Sequence, residues 1–147
     1  MAVNPTAFSD ASATNNSDRS AQIYKDINLN FSKHPVTGDI GKLTDVEAVK
    51  RSVRNLMNTN FYERPFHPEI GSDIRRNLFE PVSPILANVL TRNIEDVIRN
   101  FEPRAELIGV TSIADPDSNS YEVIIEFFLR NSPSGLQTVN IFLERLR

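Results

Sequence analysis

The spacing of apolar and polar residues changes twice along the chain and divides its 147 residues into three zones. Residues 1–20 are mostly Ala, Ser, Asn, Thr and Asp, with Val3 and Phe8 scattered among them and no period. Such a segment buries too little apolar surface to offset its ordering entropy. Residues 1–21 are therefore expected to form a flexible tail, or an arm that orders on a neighbouring subunit, ahead of a single domain over 22–147.

The middle zone is helical in period. Ile23 to Phe31 first alternates loosely and predicts a short edge strand, and His34 to Asp39 predicts a turn. Thr44-Asp45-Val46-Glu47 has the form of a capping box, in which the Thr hydroxyl and Glu carboxylate each satisfy a free helix N–H. Val46, Val49, Val53, Leu56 and Met57 follow at helical spacing, with Lys50, Arg51 and Arg54 on the other side. That pattern predicts an amphipathic helix ending near Asn58 to Asn60. Residues 61–71 read as a proline-stiffened loop or short strand. Asp73 to Leu78 reads as one or two helical turns capped by Ser72. Ser83 then caps a long helix with Pro84 at its first position. Ile85, Leu86, Val89, Leu90, Ile94, Val97, Ile98 and Phe101 form its apolar stripe, and Pro103 ends it.

The last zone alternates with period two. Leu107–Ile113, Tyr121–Leu129 and Thr138–Leu146 predict three strands of an antiparallel meander, separated by turn clusters at 115–120 and 131–135. The third places Val139, Ile141 and Leu143 on one face and Phe142 and Leu146 on the other. As the last strand, it is placed to be an edge whose N–H and C=O groups another chain can complete. The fold class is α/β (α+β), a small antiparallel sheet packed against two main helices.

Composition narrows the chemistry. Hydrophobic content of 39% and charged content of 24% are ordinary for a globular chain, and a net charge of −3 gives no steering toward nucleic acid. No apolar run reaches the ~20 residues of a membrane span, and the N-terminus lacks the pattern of a signal peptide. The absence of cysteine removes disulfides, thiol nucleophiles and thiolate metal sites. Asp115-x-Asp117-x-Asn119 with Glu126 imitates a calcium loop, but Ser120 stands where glycine is needed and the flanks are strands. His34 and His67 each precede a proline and lack metal-ligand spacing. Glu63, Glu69, Asp73 and Glu80 are close enough in sequence to raise a two-carboxylate hydrolase, but acidic surface residues are the simpler reading. No cofactor, metal or catalytic residue is expected.

Two stretches remain. Arg64-Pro65-Phe66-His67-Pro68-Glu69-Ile70-Gly71, leading to Leu78-Phe79-Glu80-Pro81, sets charges and aromatics on stiff backbone. Glu102-Pro103-Arg104 follows the long helix. In extended geometry residues two apart share a side, so Glu102 and Arg104 project together, either as a local ion pair or as a polar contact for a partner.

These residues, with Asn93-Ile94-Glu95 between them, resemble the baseplate wedge and sheath-initiator family of contractile phage tails and type VI secretion systems. The resemblance covers about residues 22–147; His67 departs from it, standing where an acidic residue is common. It implies a domain similar to the sheath subunit core and a non-enzymatic role. It further implies docking of Glu102, Pro103 and Arg104 on the wedge core-bundle proteins and strand exchange with the tail sheath protein. Contacts with tube-proximal baseplate proteins are also implied, with several copies around a sixfold baseplate. The expected partner-binding residues are Glu102, Pro103, Arg104, Arg64, Glu69, Val139, Ile141 and Leu143. The expected location is a virion tail baseplate assembled in host cytoplasm, or a bacterial secretion baseplate. The rival readings are a lysozyme-like peptidoglycan hydrolase and an anti-adapter-like regulatory protein.

Overall fold

Tyr121, Val123, Ile125, Phe127 and Leu129 all turn to one side of a strand and are buried, and the rest of the fold is arranged to cover them. The computed structural model describes residues 24–132 and 134–146. The expected tail lies outside the described residues. In chain order the elements are β1 (Lys25–Ile27), β2 (Lys42–Thr44), α1 (Asp45–Asn58), α2 (Ile74–Asn77), α3 (Pro84–Phe101), β3 (Ala105–Asp115), β4 (Ser120–Leu129) and β5 (Gln137–Glu144).

The three long strands form the expected antiparallel meander in the order β3-β4-β5. One face packs against α3, which lies chiefly over β3, and against α1, which reaches β4 and β5. Val49, Val53, Leu90, Ile94 and Ile98 meet the β4 residues in one continuous core. Apolar burial of this kind, at about 25 cal/mol per Å², is what holds helices and sheet together. Thr91 also ties α3 to β3, its hydroxyl lying 2.9 Å from the Ser112 hydroxyl.

The long helix begins as the sequence predicts. The Ser83 hydroxyl accepts a hydrogen bond from the Leu86 N–H at 3.2 Å, with Pro84 in the first turn. The buried Tyr121 hydroxyl accepts one from the Ser83 N–H at 3.0 Å, so β4 fixes where the helix starts. The stripe is narrower than expected. Ile85 is 78% exposed and Val89 also lies outside, while Ala87 enters the core. At 100° per residue, Ile85 and Val89 point well away from the arc that holds the buried residues, Ile85 almost opposite its centre.

Other local expectations are corrected. Thr44 occupies the cap position of α1 but makes no side-chain cap bond. The Asp45 N–H instead donates to the Tyr24 carbonyl, and the Asp45 carboxylate accepts from the Tyr24 N–H. The helix start is thus closed by the β1–β2 ribbon, whose second strand shows no period in the sequence. Ser72 is not the cap of α2. It is buried, and its hydroxyl donates to the Met57 and Thr59 carbonyls. Leu146 does not share the outer face with Phe142. β5 stops at Glu144, and the chain folds back so that the Leu146 N–H donates to the Leu78 carbonyl.

Gly71 has a steric task. A Cβ there would stand 2.5 Å from the Asn60 carbonyl carbon and 2.6 Å from the Phe61 nitrogen. Asn60 and Ser72 form an isolated parallel bridge beside it. Only glycine lets the returning end of the 61–71 loop approach its own start so closely.

Candidate docking site

The corner between α3 and β3 holds an ion-pair network of three residues, Asp26, Glu102 and Arg104. Glu102 caps the helix, its N–H donating to the Ile98 carbonyl at 2.9 Å. Pro103 stops the helix, and the Arg104 carbonyl accepts from the Arg130 N–H as the β3–β4 ladder begins. Glu102 and Arg104 thus leave the backbone on the same side, as the sequence predicts.

Arg104 grips Glu102 with two bonds, Nε to Oε1 at 2.6 Å and Nη2 to Oε2 at 3.0 Å. Its Nη1 reaches Asp26 of β1, 3.1 Å from Oδ2 and 3.3 Å from Oδ1. The guanidinium also lies 5.8 Å from the centre of the Tyr24 ring, within cation–π range. Tyr24 donates its hydroxyl to the Arg130 carbonyl, closing the circuit. The hydrogen bond to Glu102 is the chief cause that holds the Arg104 pKa above its ordinary value; burial opposes it, and Asp26 adds to it. Arg104 is therefore a fixed positive charge at any working pH.

Exposure separates the partners. Glu102 is 2% exposed and both its oxygens are engaged, whereas the Arg104 side chain is 26% exposed. The two residues form a local ion pair whose arginine keeps an accessible edge. Glu102 orients the arginine, and the outer edge of Arg104 with Asp26 is what another surface can reach. Sequence spacing pointed to Glu102 and Arg104. It gave no sign of Asp26, which lies on β1 78 residues from Arg104 along the chain, or of Tyr24 just before that strand.

The remaining expected site residues lie apart. Arg64 and Glu69 sit on the exposed 61–71 loop and share no hydrogen bond with Glu102 or Arg104. That loop holds Tyr62 and Phe66 at positive φ, 66° and 70°, with the Phe66 ring 96% exposed. Glu69 faces His67 at 3.1 Å, and its carboxyl is lowered in pKa by its own backbone N–H and then by His67. The Glu63 carboxylate accepts from the backbone and side-chain amides of Asn60. An open groove of about 1010 Å³ runs beside the loop, bordered by Tyr62, Glu69, Arg75, Arg76, Phe79 and Leu146.

Val139 and Leu143 are buried and Ile141 is half-buried, so their side chains serve the core. Contact through β5 would fall to its backbone. β5 pairs with β4 on one side and with no strand on the other among the described residues. The calcium-like pattern is spent locally: the Asp115 carboxylate accepts from the Asp117 and Ser118 N–H groups and from the Ser118 hydroxyl.

Known proteins resemble this chain in sequence and in fold. The chain is 30% identical over 122 residues to the baseplate wedge protein gp25 of Enterobacteria phage T4, covering 83% of this chain and 92% of that one. A chain of the anti-feeding prophage baseplate superposes with a TM-score of 0.57 at 23% identity, over 84% of this chain and 87% of its own. A provisionally described tail lysozyme from Geobacter sulfurreducens superposes with a TM-score of 0.55 at 21% identity, over 65% of this chain and 88% of its own. The type VI secretion baseplate complex contains a chain with a TM-score of 0.54 at 19% identity, over 64% of this chain and 88% of its own. These structural likenesses concern the fold. Residues 44–134 match the family described as baseplate wedge protein gp25, and with the phage relative this shows that the chain belongs to that family.

Proposed function

We propose that this protein is a structural wedge component of a contractile-tail baseplate that starts sheath assembly by strand addition at β5. Family membership supports the baseplate role. The observation that carries the strand-addition reading is the position of β5 at the sheet edge, with its apolar side chains already in the core. An incoming sheath strand gains main-chain hydrogen bonds without disturbing the packing. The Arg104–Asp26 corner anchors the domain to the wedge core-bundle proteins, and Arg64 and Glu69 on the exposed 61–71 loop offer a further partner contact. The working place is the baseplate of a virion tail or of a secretion machine.

A hydrolytic role is disfavoured by the carboxylates themselves. A glycosidase needs one carboxyl raised in pKa to act as an acid. Glu69 is shifted the other way, and Glu63 is engaged in the turn at Asn60.

Deleting β5 is a poor test because it removes Val139 and Leu143 from the core. Single prolines at Asn140 and Ile141 are better. In an antiparallel ladder neighbouring residues point their N–H groups to opposite sides, so one of the two removes only an outward donor. The variant that keeps native thermal stability should enter baseplates yet start few sheaths. Normal sheath numbers on baseplates holding that variant would overturn the strand-addition reading.

A further inference from the structure

The second face of the β3-β4-β5 sheet is uncovered among the described residues. Ile108, Ile113, Phe128 and Phe142 stand exposed on it, Phe142 at 70%. The same face holds Glu106, Asp115, Glu122, Glu126 and Glu144. Acidic and apolar positions interleave: Ile113 opposes Glu122, which opposes Phe142, and Ile124 of the same strand lies two residues on.

The charge is one-sided. No Lys or Arg occurs in β3, β4 or β5, although the whole chain has 16. The nearest in sequence are Arg104, just before β3 and held by Glu102 and Asp26, and Arg130 and Arg145, just past the ends of β4 and β5. Glu106, Glu122, Glu126 and Glu144 form no ion pair or side-chain hydrogen bond with any described residue. A solubilising surface normally mixes both signs. Here acids alone are set among exposed isoleucine and phenylalanine.

We infer that this face is a docking surface for an amphipathic helix of a partner protein that sets Lys or Arg beside apolar residues. The dimensions agree. Three strands at about 4.8 Å spacing present a strip about as wide as one helix, roughly 10–12 Å. A helix there would complete a helix–sheet–helix layering, since α1 and α3 already cover the other face. Two occupants within this chain are set aside, the first by charge and the second by burial. Residues 1–23 contain Asp10 and Asp18 against a single Arg19. α1 carries Lys50, Arg51 and Arg54, but its apolar side is already buried on Val49 and Val53.

The surface is distinct from the β5 edge and from the Arg104 corner, so its failure leaves the baseplate reading standing. The test uses the purified full-length chain and a designed Leu/Lys amphipathic peptide of roughly 18 residues, about 27 Å as a helix. Fluorescence anisotropy should show one-to-one binding that weakens with salt, and amide shifts should cluster around Ile113, Ile124 and Phe142. Glu122→Gln with Glu126→Gln should weaken binding by about 2- to 30-fold at unchanged melting temperature, while the exposed Glu47→Gln should not. Equal binding of the matching Leu/Glu peptide, or shifts centred on α1 or the 61–71 loop, would overturn the inference. So would a self-dimer through this face, recognised as a dimer lost in Phe142→Ser.

Discussion

Replacing Arg104 by alanine tests whether the α3–β3 corner is a built device or a surface ornament. Glu102 is buried and receives both of its side-chain bonds from Arg104. Truncating the arginine leaves a buried carboxylate with neither, which costs about 3–5 kcal/mol. The Asp26 contact counts for much less, no more than about 1 kcal/mol, because Asp26 is over a third exposed. At about 3 °C per kcal/mol for a chain of this size, Arg104→Ala should melt about 9–15 °C lower in a calorimeter, and Asp26→Ala about 3 °C lower at most. Glu102→Leu combined with Arg104→Met should recover much of the loss, since no charge is then left buried. That double variant should fold yet fail to join wedges, which separates the structural part of the corner from its docking part. A melting point within about 2 °C of wild type for Arg104→Ala, or equal losses for Arg104→Ala and Asp26→Ala, would refute the reasoning.

Three further outcomes are expected. Gly71→Ala drives a Cβ to 2.5 Å from the Asn60 backbone; urea unfolding should show a loss of about 1–3 kcal/mol or more, and Gly109→Ala, with open space around it, should lose less. Tyr121→Phe keeps the ring but strips the Ser83 N–H of its acceptor; a loss of about 1–3 kcal/mol is expected, with faster amide exchange at the start of α3. The Glu69 carboxyl titrates below the ordinary glutamate value of 4.5, because its backbone N–H and His67 favour the charged form. Its contribution to the loop is therefore present above about pH 4.5 and is lost as pH falls through the lowered pKa. Carbon-detected NMR should place the midpoint below 4.5, moving upward in His67→Ala.

How far the site could be read from sequence depended on the range of the interactions. Ser83-Pro84 marks a helix start because the cap bond spans three residues, and Tyr121 to Leu129 marks a strand because side chains alternate by geometry alone. Thr44-x-x-Glu47 carried an equally good local signal and was overridden. The Tyr24 backbone reached the Asp45 N–H from outside the helix, and no pattern within 44–47 encodes that. Ser72 misled for the same reason: its hydroxyl is taken by carbonyls at the end of α1, 13 and 15 residues earlier.

The sequence by itself determined the two main helices, the meander and the projection of Glu102 and Arg104 to one side, because each rests on spacings of two to four residues. It also supplied the family resemblance, carried by ordered short motifs. Tertiary structure decided what those pieces do. It buried Glu102 and left the edge of Arg104 in reach, brought Asp26 and Tyr24 to the corner, and assigned Val139 and Leu143 to the core. It also left the face that holds every acid of the three strands uncovered by a helix among the described residues. The reason is physical. Exposure and charge neighbourhood depend on which distant elements stack together, and a local period fixes a side chain's direction without fixing what it meets.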